Sequence, residues 1–392
     1  MVALPHRLNI VADAHIWGVE EAFSSLPGLE VSLTILEAPE ITHTALQQAD
    51  ALITRSSTQV NEQLLAGTPV RFAATATIGD DHYDKKWLGE HAITFANAAG
   101  SSTGSVIEYM LTALLELHAR KLIVLPDTTL GIVGVGRIGG RLADICSKLH
   151  ISTLLNDPPR AKHEGNGGFS ELDELLNKAD VLSLHTPLTR TGENKTHHLL
   201  DAQRLARFKG RGIINTGRGA CLDNIALLNW LDGSQNRFAV LDCWENEPAI
   251  SPSLLTHPQL TIGTPHIAGH SLDGKAANTL FAYRALCKWL KIEPAWQPEK
   301  LLPTVEAPLK VDCGNDAWLN LHNAATQLYP IMQDDVALRG IGRLTKGKLG
   351  KGFAAYRRHY PIRRSWDQIL LQLQHSDPLT PRLAQAMGIK TA

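Results

Sequence analysis

An arginine, two carboxylates and a histidine stand at the ends of successive apolar runs in the second half of the chain. Arg218 follows "GIINTG", Asp242 and Glu247 lie in "LDCWENEP", and His266 follows "TIGTP" and precedes "IAGHS". These residue types can together oxidise a hydroxy acid. Such a substrate loses a proton from oxygen and a hydride from carbon in one event. A histidine of near-neutral pKa can take the proton. A carboxylate beside it fixes the imidazole tautomer and stabilises the imidazolium. An arginine can grip the substrate carboxylate with two donors and polarise the C2 oxygen. Taken singly, each has a plainer reading: a surface ion pair for the arginine, a turn for Glu247 before Pro248, and one of 17 histidines in core or surface. Their common placement at strand ends makes them a set, and Thr186, after "VLSLH", stands at another such end.

A hydride needs an acceptor. The stretch "TLGIVGVGRIGG" (129–140) puts Gly134, Gly136 and Gly139 between an apolar run and the amphipathic "RLADICSKL". A lone G-x-G-x-x-G is weak evidence among 31 glycines, but the context is that of a dinucleotide site. A strand-like run precedes it, a helix-like run follows, and Asp157 ends the next strand-like run 18 residues after Gly139. Gly134 permits the tight turn, Gly136 lets the backbone approach a pyrophosphate, and Gly139 lets helix and strand pack closely. The helix N-terminus presents free N–H groups to the phosphates. Asp157 can accept from the ribose hydroxyls and repel a 2′-phosphate, which favours NAD. Arg160, three residues on, keeps NADP open.

These residues need a scaffold of strands and crossover helices. "RLNIVAD" (7–13), "DALITR" (50–55), "RFAATAT" (71–77) and "ITFANAA" (93–99) read as strands, with helix-like "VEEAFSSL" (19–26) and "NEQLLAG" (61–67) among them. A long helix over 105–122 leads to a second βα series, with strands at 129–135, 152–157, 180–185, 211–217, 238–244 and 260–266. A helix over 275–291 can return the chain to the first series, and the Pro-rich stretch 292–308 reads as a linker. The expected class is α/β: two doubly wound parallel-sheet, Rossmann-like domains plus a small α+β C-terminal domain. The expected boundaries are 1–104 with 275–295 for substrate binding, 105–274 for NAD, and 296–392 at the C-terminus.

Bulk properties narrow the class. The chain has 392 residues, 44% hydrophobic and 20% charged, with a net charge of −1. That charge gives no long-range field for nucleic acid or an anionic membrane. Five scattered cysteines lack metal-ligand spacing and read as buried thiols in a reducing compartment. No apolar run approaches the ~18 residues of a membrane span. No metal site is expected, and the expected location is the cytoplasm.

The motifs "GIVGVGRIGGRL", "HTPLT", "INTGRGACLDNIALL", "VLDCWENEP" and "PHIAG" carry a resemblance to a known family, the D-isomer-specific 2-hydroxyacid dehydrogenases. The resemblance implies Arg218, Glu247 and His266 as the catalytic trio, with His266 as acid and base. It implies Asp157, Thr186, Asp242 and Gly269 as NAD contacts, and Ser56 and Thr77 as substrate contacts. A narrower likeness within the family rests on "DALITRSSTQVNEQLLAGTP", "ATATIGDDHYD", "NDPPRAK", "HIAGHSLDGKA" and a C-terminal extension with "DDVALR" and "RRSWDQILL". It implies a small phosphorylated 2-hydroxy acid as substrate and a homodimer formed through the C-terminal domain. Two places depart from that pattern. His270 stands where a tyrosine is usual, and "GSSTGS" (100–105) stands where a Cys-Asn pair is usual.

A phosphorylated acid brings roughly two to three negative charges at neutral pH, so a chain without net positive charge must place cations locally. Arg218 can serve the carboxylate, and Arg55, followed by "SST" hydroxyls, can cradle the phosphate. "YRRHYPIRRSW" (356–366) can contribute from a partner subunit or form a solvated basic face. Two other readings stay open: a dehydrogenase of the same family acting on phosphoglycerate, glyoxylate or a sugar acid, and an NAD-sensing binding protein on the same fold.

Overall fold

Strands that are apolar on both faces dominate, as sheets covered by helices on either side require. The computed structural model describes residues 7–165, 167–305, 308–343 and 347–392 and contains three parallel sheets. Of the expected linker 292–308, positions 306 and 307 lie outside the described residues. The chain divides into two compact units.

The first unit is the chain up to Ser102 together with Ser271–Thr304. Its sheet has the order β2-β1-β3-β4-β5, built from β1 (Arg7–Asp13), β2 (Glu30–Leu36), β3 (Ala51–Thr54), β4 (Phe72–Thr75) and β5 (Thr94–Asn97). β3 and β4 are buried at every residue. The sequence reading lacks β2. That strand lies at the sheet edge with no fully buried residue, so Glu30, Ser32 and Thr34 dilute its apolar signal. The returning helix runs Leu272–Leu290 and packs Ala282, Tyr283, Leu286 and Cys287 into the core over this sheet.

The second unit is Thr103–His270 with Val305–Ala392. Its six-stranded sheet has the order β11-β10-β9-β8-β6-β7, from β6 (Leu130–Val133), β7 (Thr153–Asn156), β8 (Val181–Leu184), β9 (Gly212–Asn215), β10 (Phe238–Leu241) and β11 (Leu260–Gly263). The order reverses at β6: the chain goes out to β7 and returns to β8 on the other side. Such a reversal opens a crevice beyond the carboxyl ends of the strands. The glycine loop after β6 and Thr186 after β8 flank it.

Residues 305–392 join this second unit. They carry a small sheet of β12 (Leu309–Asp312), β13 (Leu370–Gln374) and β14 (Lys390–Thr391), with helices at Ala317–Leu328, Ile331–Gly342, Leu349–Arg358 and Leu379–Ala386. Leu321, Ala324 and Ala325 share one core with Met110, Ala113 and Leu117 of the buried helix Thr103–Ala119. Helix Ile331–Gly342 covers β11, the sheet's edge strand, which would otherwise leave backbone groups unpaired. Asp335 Oδ1 accepts from Gly263 N at 2.7 Å, and Arg339 donates to the Leu255 and Leu260 carbonyls at 2.6 Å each. Among the described residues no helix is long and apolar enough to cross a membrane. The five cysteines are free thiols, four of them buried.

Candidate active site

Each fingerprint glycine meets a different constraint. Gly134 has φ +88°, and a Cβ there would press on the backbone of His185 and Thr186 at 2.9 Å. A Cβ at Gly139 would collide with the Gly134 carbonyl, so no other residue lets the helix approach β6 this closely. A Cβ at Gly136 would meet nothing within 4 Å. Gly136 is the N-cap of helix Arg137–Lys148 and provides no side-chain cap. The helix therefore presents open backbone donors beside empty space, as an anion requires. Beneath this loop the Thr186 hydroxyl is buried without a hydrogen-bond partner. An unpaired buried hydroxyl is costly unless a ligand completes it. These residues fit a dinucleotide.

Asp157 ties the glycine loop to the next helix. Its Oδ2 accepts from Val135 N at 2.8 Å, and its Oδ1 caps helix Pro158–Glu164 through Arg160 N at 3.1 Å. Each carboxylate oxygen retains a lone pair for a ribose hydroxyl. Arg160 is engaged elsewhere. It donates to the Val135 carbonyl at 2.6 Å and grips Glu164 with Nε and Nη2 at 2.7 and 2.6 Å. It is therefore not a loose cation awaiting a 2′-phosphate.

Glu247 and His266 meet directly, with Oε2 2.7 Å from Nδ1. The other oxygen, Oε1, accepts from Trp244 N at 2.7 Å. Burial pushes the Glu247 carboxyl up, but the positive charge and hydrogen bond of His266, the charge of Arg357 and the Trp244 N–H outweigh it, and its pKa is lowered. An ionised carboxylate only accepts, so Nδ1 keeps its proton and Nε2 is the nitrogen left to exchange one. Cys243 Sγ and the Glu247 and His266 ligand atoms lie within 4.8 Å of one another. Burial, with the charges of Asp242 and Glu247, pushes the Cys243 thiol far up, so it stays neutral. Arg218 connects to this group through the Gly217 carbonyl, which accepts from its Nη1 at 2.9 Å and from Cys243 Sγ at 3.3 Å. Gly219 lets the Arg218 loop settle on Trp244, whose carbonyl a Cβ there would strike.

Asp242 is almost wholly enclosed. Its carboxylate accepts from Thr264 Oγ1 and Ile267 N at 2.7 Å each and from Ala268 N at 3.0 Å. Three of its four acceptor sites thus hold the loop that carries His266. Gly269 and His270 follow in that loop, both half-buried, and His270 meets Tyr360 edge-on at 5.9 Å. One residue of this group is not among the sequence candidates. Asn215, at the end of β9, accepts from Gly217 N and donates to the Arg218 carbonyl. An amide closing the apolar run "GIIN" is legible in the sequence, and the structure buries it fully. Arg357 and Arg363 belong to the basic stretch 356–366, read as a contribution from a partner subunit or a solvated face, and the structure instead turns both onto their own chain. They stand some ninety residues beyond the loop they reach, with Arg357 Nε donating to the His266 carbonyl at 3.2 Å within the same chain.

Arg55 and Ser56 lie just beyond β3, and Thr77 just beyond β4, in the first unit. Ser56 is exposed, whereas the Thr77 hydroxyl is 2.6 Å from Thr75 Oγ1 and donates to the Gly79 carbonyl at 2.9 Å.

Known proteins share both the sequence and the architecture. The family profile described as "D-isomer specific 2-hydroxyacid dehydrogenase, NAD binding domain" matches residues 116–268. A Hydrogenovibrio crunogenus protein named erythronate-4-phosphate dehydrogenase is 39% identical over 387 residues, 98% of this chain and 99% of its own. A Salinibacter ruber protein of the same name is 41% identical over 372 residues, 92% of this chain and 93% of its own. Among solved structures, D-lactate dehydrogenase from Aquifex aeolicus with NAD and lactic acid superposes with a TM-score of 0.60. It is 24% identical and covers 72% of this chain and 96% of its own, a likeness of fold.

Proposed function

The chain belongs to the D-isomer-specific 2-hydroxyacid dehydrogenases, NAD-dependent oxidoreductases acting on CH–OH, and from that premise we propose that it oxidises 4-phospho-D-erythronate to 2-oxo-3-hydroxy-4-phosphobutanoate in pyridoxal 5′-phosphate (vitamin B6) biosynthesis. The observation that carries the chemistry is the 2.7 Å contact between Glu247 and His266, which leaves Nε2 as the base. His266 takes the proton of the C2 hydroxyl at Nε2, and Glu247 stabilises the resulting imidazolium. Arg218 holds the substrate carboxylate and stabilises charge developing on the C2 oxygen. NAD, when bound, accepts the hydride. Gly134, Gly136, Gly139, Asp157, Thr186, Asp242 and Gly269 are its proposed contacts. Arg55, with the hydroxyls that follow it, is proposed to take the phosphate end, Ser56 and Thr77 to contact the substrate, and His270 to face it.

The choice of substrate rests on near-full-length likeness to proteins of that name. His270 and the 100–105 segment favour a second reading, in which the substrate is another 2-hydroxy acid. NAD reduction with 4-phospho-D-erythronate, 3-phosphoglycerate and unphosphorylated erythronate separates the two. A preference for 4-phospho-D-erythronate is expected, and a larger kcat/KM for either other acid transfers the assignment. We further propose a cytoplasmic homodimer formed through the C-terminal region, where Val336, Ile362 and Leu379 present exposed apolar surface. Sedimentation at twice the chain mass is the expected result.

A further inference from the structure

His266 has φ +54°, in the left-handed region that residues with a Cβ seldom occupy. Such a backbone persists only where its surroundings over-determine it. Asp242, just beyond β10, supplies one set of anchors. A second set comes from the C-terminal region of the same chain. Asp335 accepts from Gly263 N, Arg357 donates to the His266 carbonyl, and Arg363 Nη2 donates to the Ala268 carbonyl at 3.3 Å.

The Arg363 side chain is 5% exposed. Its Nη1 donates to Glu108 Oε2 at 2.9 Å, and its guanidinium lies 4.0 Å over the Tyr329 ring. Glu108 Oε1 accepts from Trp366 N at 2.8 Å. The other end of the segment is fastened as well, since Asp334 accepts from the hydroxyls of Tyr356 and Tyr360 at 2.6 and 2.8 Å. Burying a guanidinium is unfavourable unless its charge and donors are matched; Glu108 and the Ala268 carbonyl match the charge and two donors, while Nε is buried without a partner. Apolar packing alone would join the C-terminal region to the core without it. Here two arginines of one segment reach two carbonyls of the single loop that carries the base.

We propose that residues 356–366 form a clamp in which Arg357 and Arg363 are positioning residues, holding the His266 and Ala268 carbonyls so that the imidazole keeps Nδ1 on Glu247. The inference rests on His266 being the base. The C-terminal region is on this view part of the catalytic apparatus, whatever its role in assembly.

The test compares wild type with Arg357→Met, Arg357→Lys, Arg363→Lys and His266→Ala in NAD reduction with 4-phospho-D-erythronate, or with the best 2-hydroxy acid of the panel above. Rates are normalised to titrated NAD sites, and melting temperatures are taken alongside. Misplacement of a catalytic group by about an ångström typically costs on the order of 10²-fold in rate. A fall in kcat on that scale is expected for Arg357→Met and Arg363→Lys, with the KM for NAD and substrate unchanged. Partial recovery is expected in Arg357→Lys, which still donates one bond. The low-field proton of the Nδ1–H···Oε2 bond should be lost from the NMR spectrum of the impaired variants. Unchanged kcat with that proton intact overturns the clamp. A raised substrate KM at unchanged kcat also overturns it and places Arg357 on the substrate. Should Arg363→Lys not fold, Arg357→Met, at a half-buried site, decides alone. Full activity in His266→Ala marks failure of the underlying assignment, and no arginine variant mimics that result.

Discussion

Glu247 Oε2 lies 2.7 Å from His266 Nδ1, and the two side chains come from loops following β10 and β11, adjacent strands of one parallel sheet. The pairing sets the tautomer: Nδ1 is committed to the carboxylate and Nε2 is left to accept a proton.

Removing that base has a characteristic size. Loss of a positioned general base costs ~10²–10⁴-fold in rate. His266→Ala is expected to lose activity on that scale while binding NAD as wild type does, measured by turnover beside fluorescence titration. Glu247→Gln keeps the shape but loses the charge, and should lower kcat with little change in the KM for NAD.

Asp157 is the proposed discriminator between NAD and NADP. Its carboxylate braces Val135 N, and the proposal has its charge oppose a 2′-phosphate. Asp157→Ala is expected to weaken NAD binding and narrow the preference over NADP, read as the ratio of the two kcat/KM values. An unchanged ratio would assign the discrimination to another group.

Two glycines of one fingerprint should fail in different ways. Gly139→Ala forces a methyl group into the Gly134 carbonyl, and overpacking of this kind costs about 1–3 kcal/mol. A lower melting temperature is expected even without cofactor. Gly136→Ala meets open space, so its apo melting temperature should hold while its affinity for NAD falls. Matching profiles for the two variants would contradict the distinct roles.

His185, just beyond β8, gives a pH signature. Burial pushes its imidazole down to about 4, and Ser183 Oγ and Thr216 Oγ1 stand 2.8 and 3.1 Å from its two nitrogens. The unfolded chain takes this proton near the ordinary value of about 6.5. Between about 6.5 and about 4 the unfolded state therefore binds more protons, so stability falls as the pH falls through that window. His185→Gln lacks this loss. The melting-temperature difference between wild type and variant should shrink as pH drops from 7 to 4, and parallel curves would refute the assignment.

Much of this was legible in the chain itself. The strands buried on both faces are readable because few polar residues interrupt them, and β2 is not, because an edge strand needs no such purity. The glycine spacing carried its own meaning, since a missing Cβ is a local property of the residue type. Arg218, Glu247 and His266 could be placed at strand ends from the run lengths alone.

The sequence by itself determined the alternation of strand and helix, the dinucleotide loop, and which side chains stand at the carboxyl edge of the second sheet. Periodicity and residue type are local, and these features depend on nothing more. Only the tertiary structure decided that Asp242 gives three of its four acceptor sites to the His266 loop, that Arg160 is held by Glu164, and that Arg357 and Arg363 return to the His266 and Ala268 carbonyls. Those partners are set by how helices of a distant segment pack against β11 and the helix Thr103–Ala119. A hydrogen bond between residues some ninety positions apart leaves no period or spacing in the chain from which to read it.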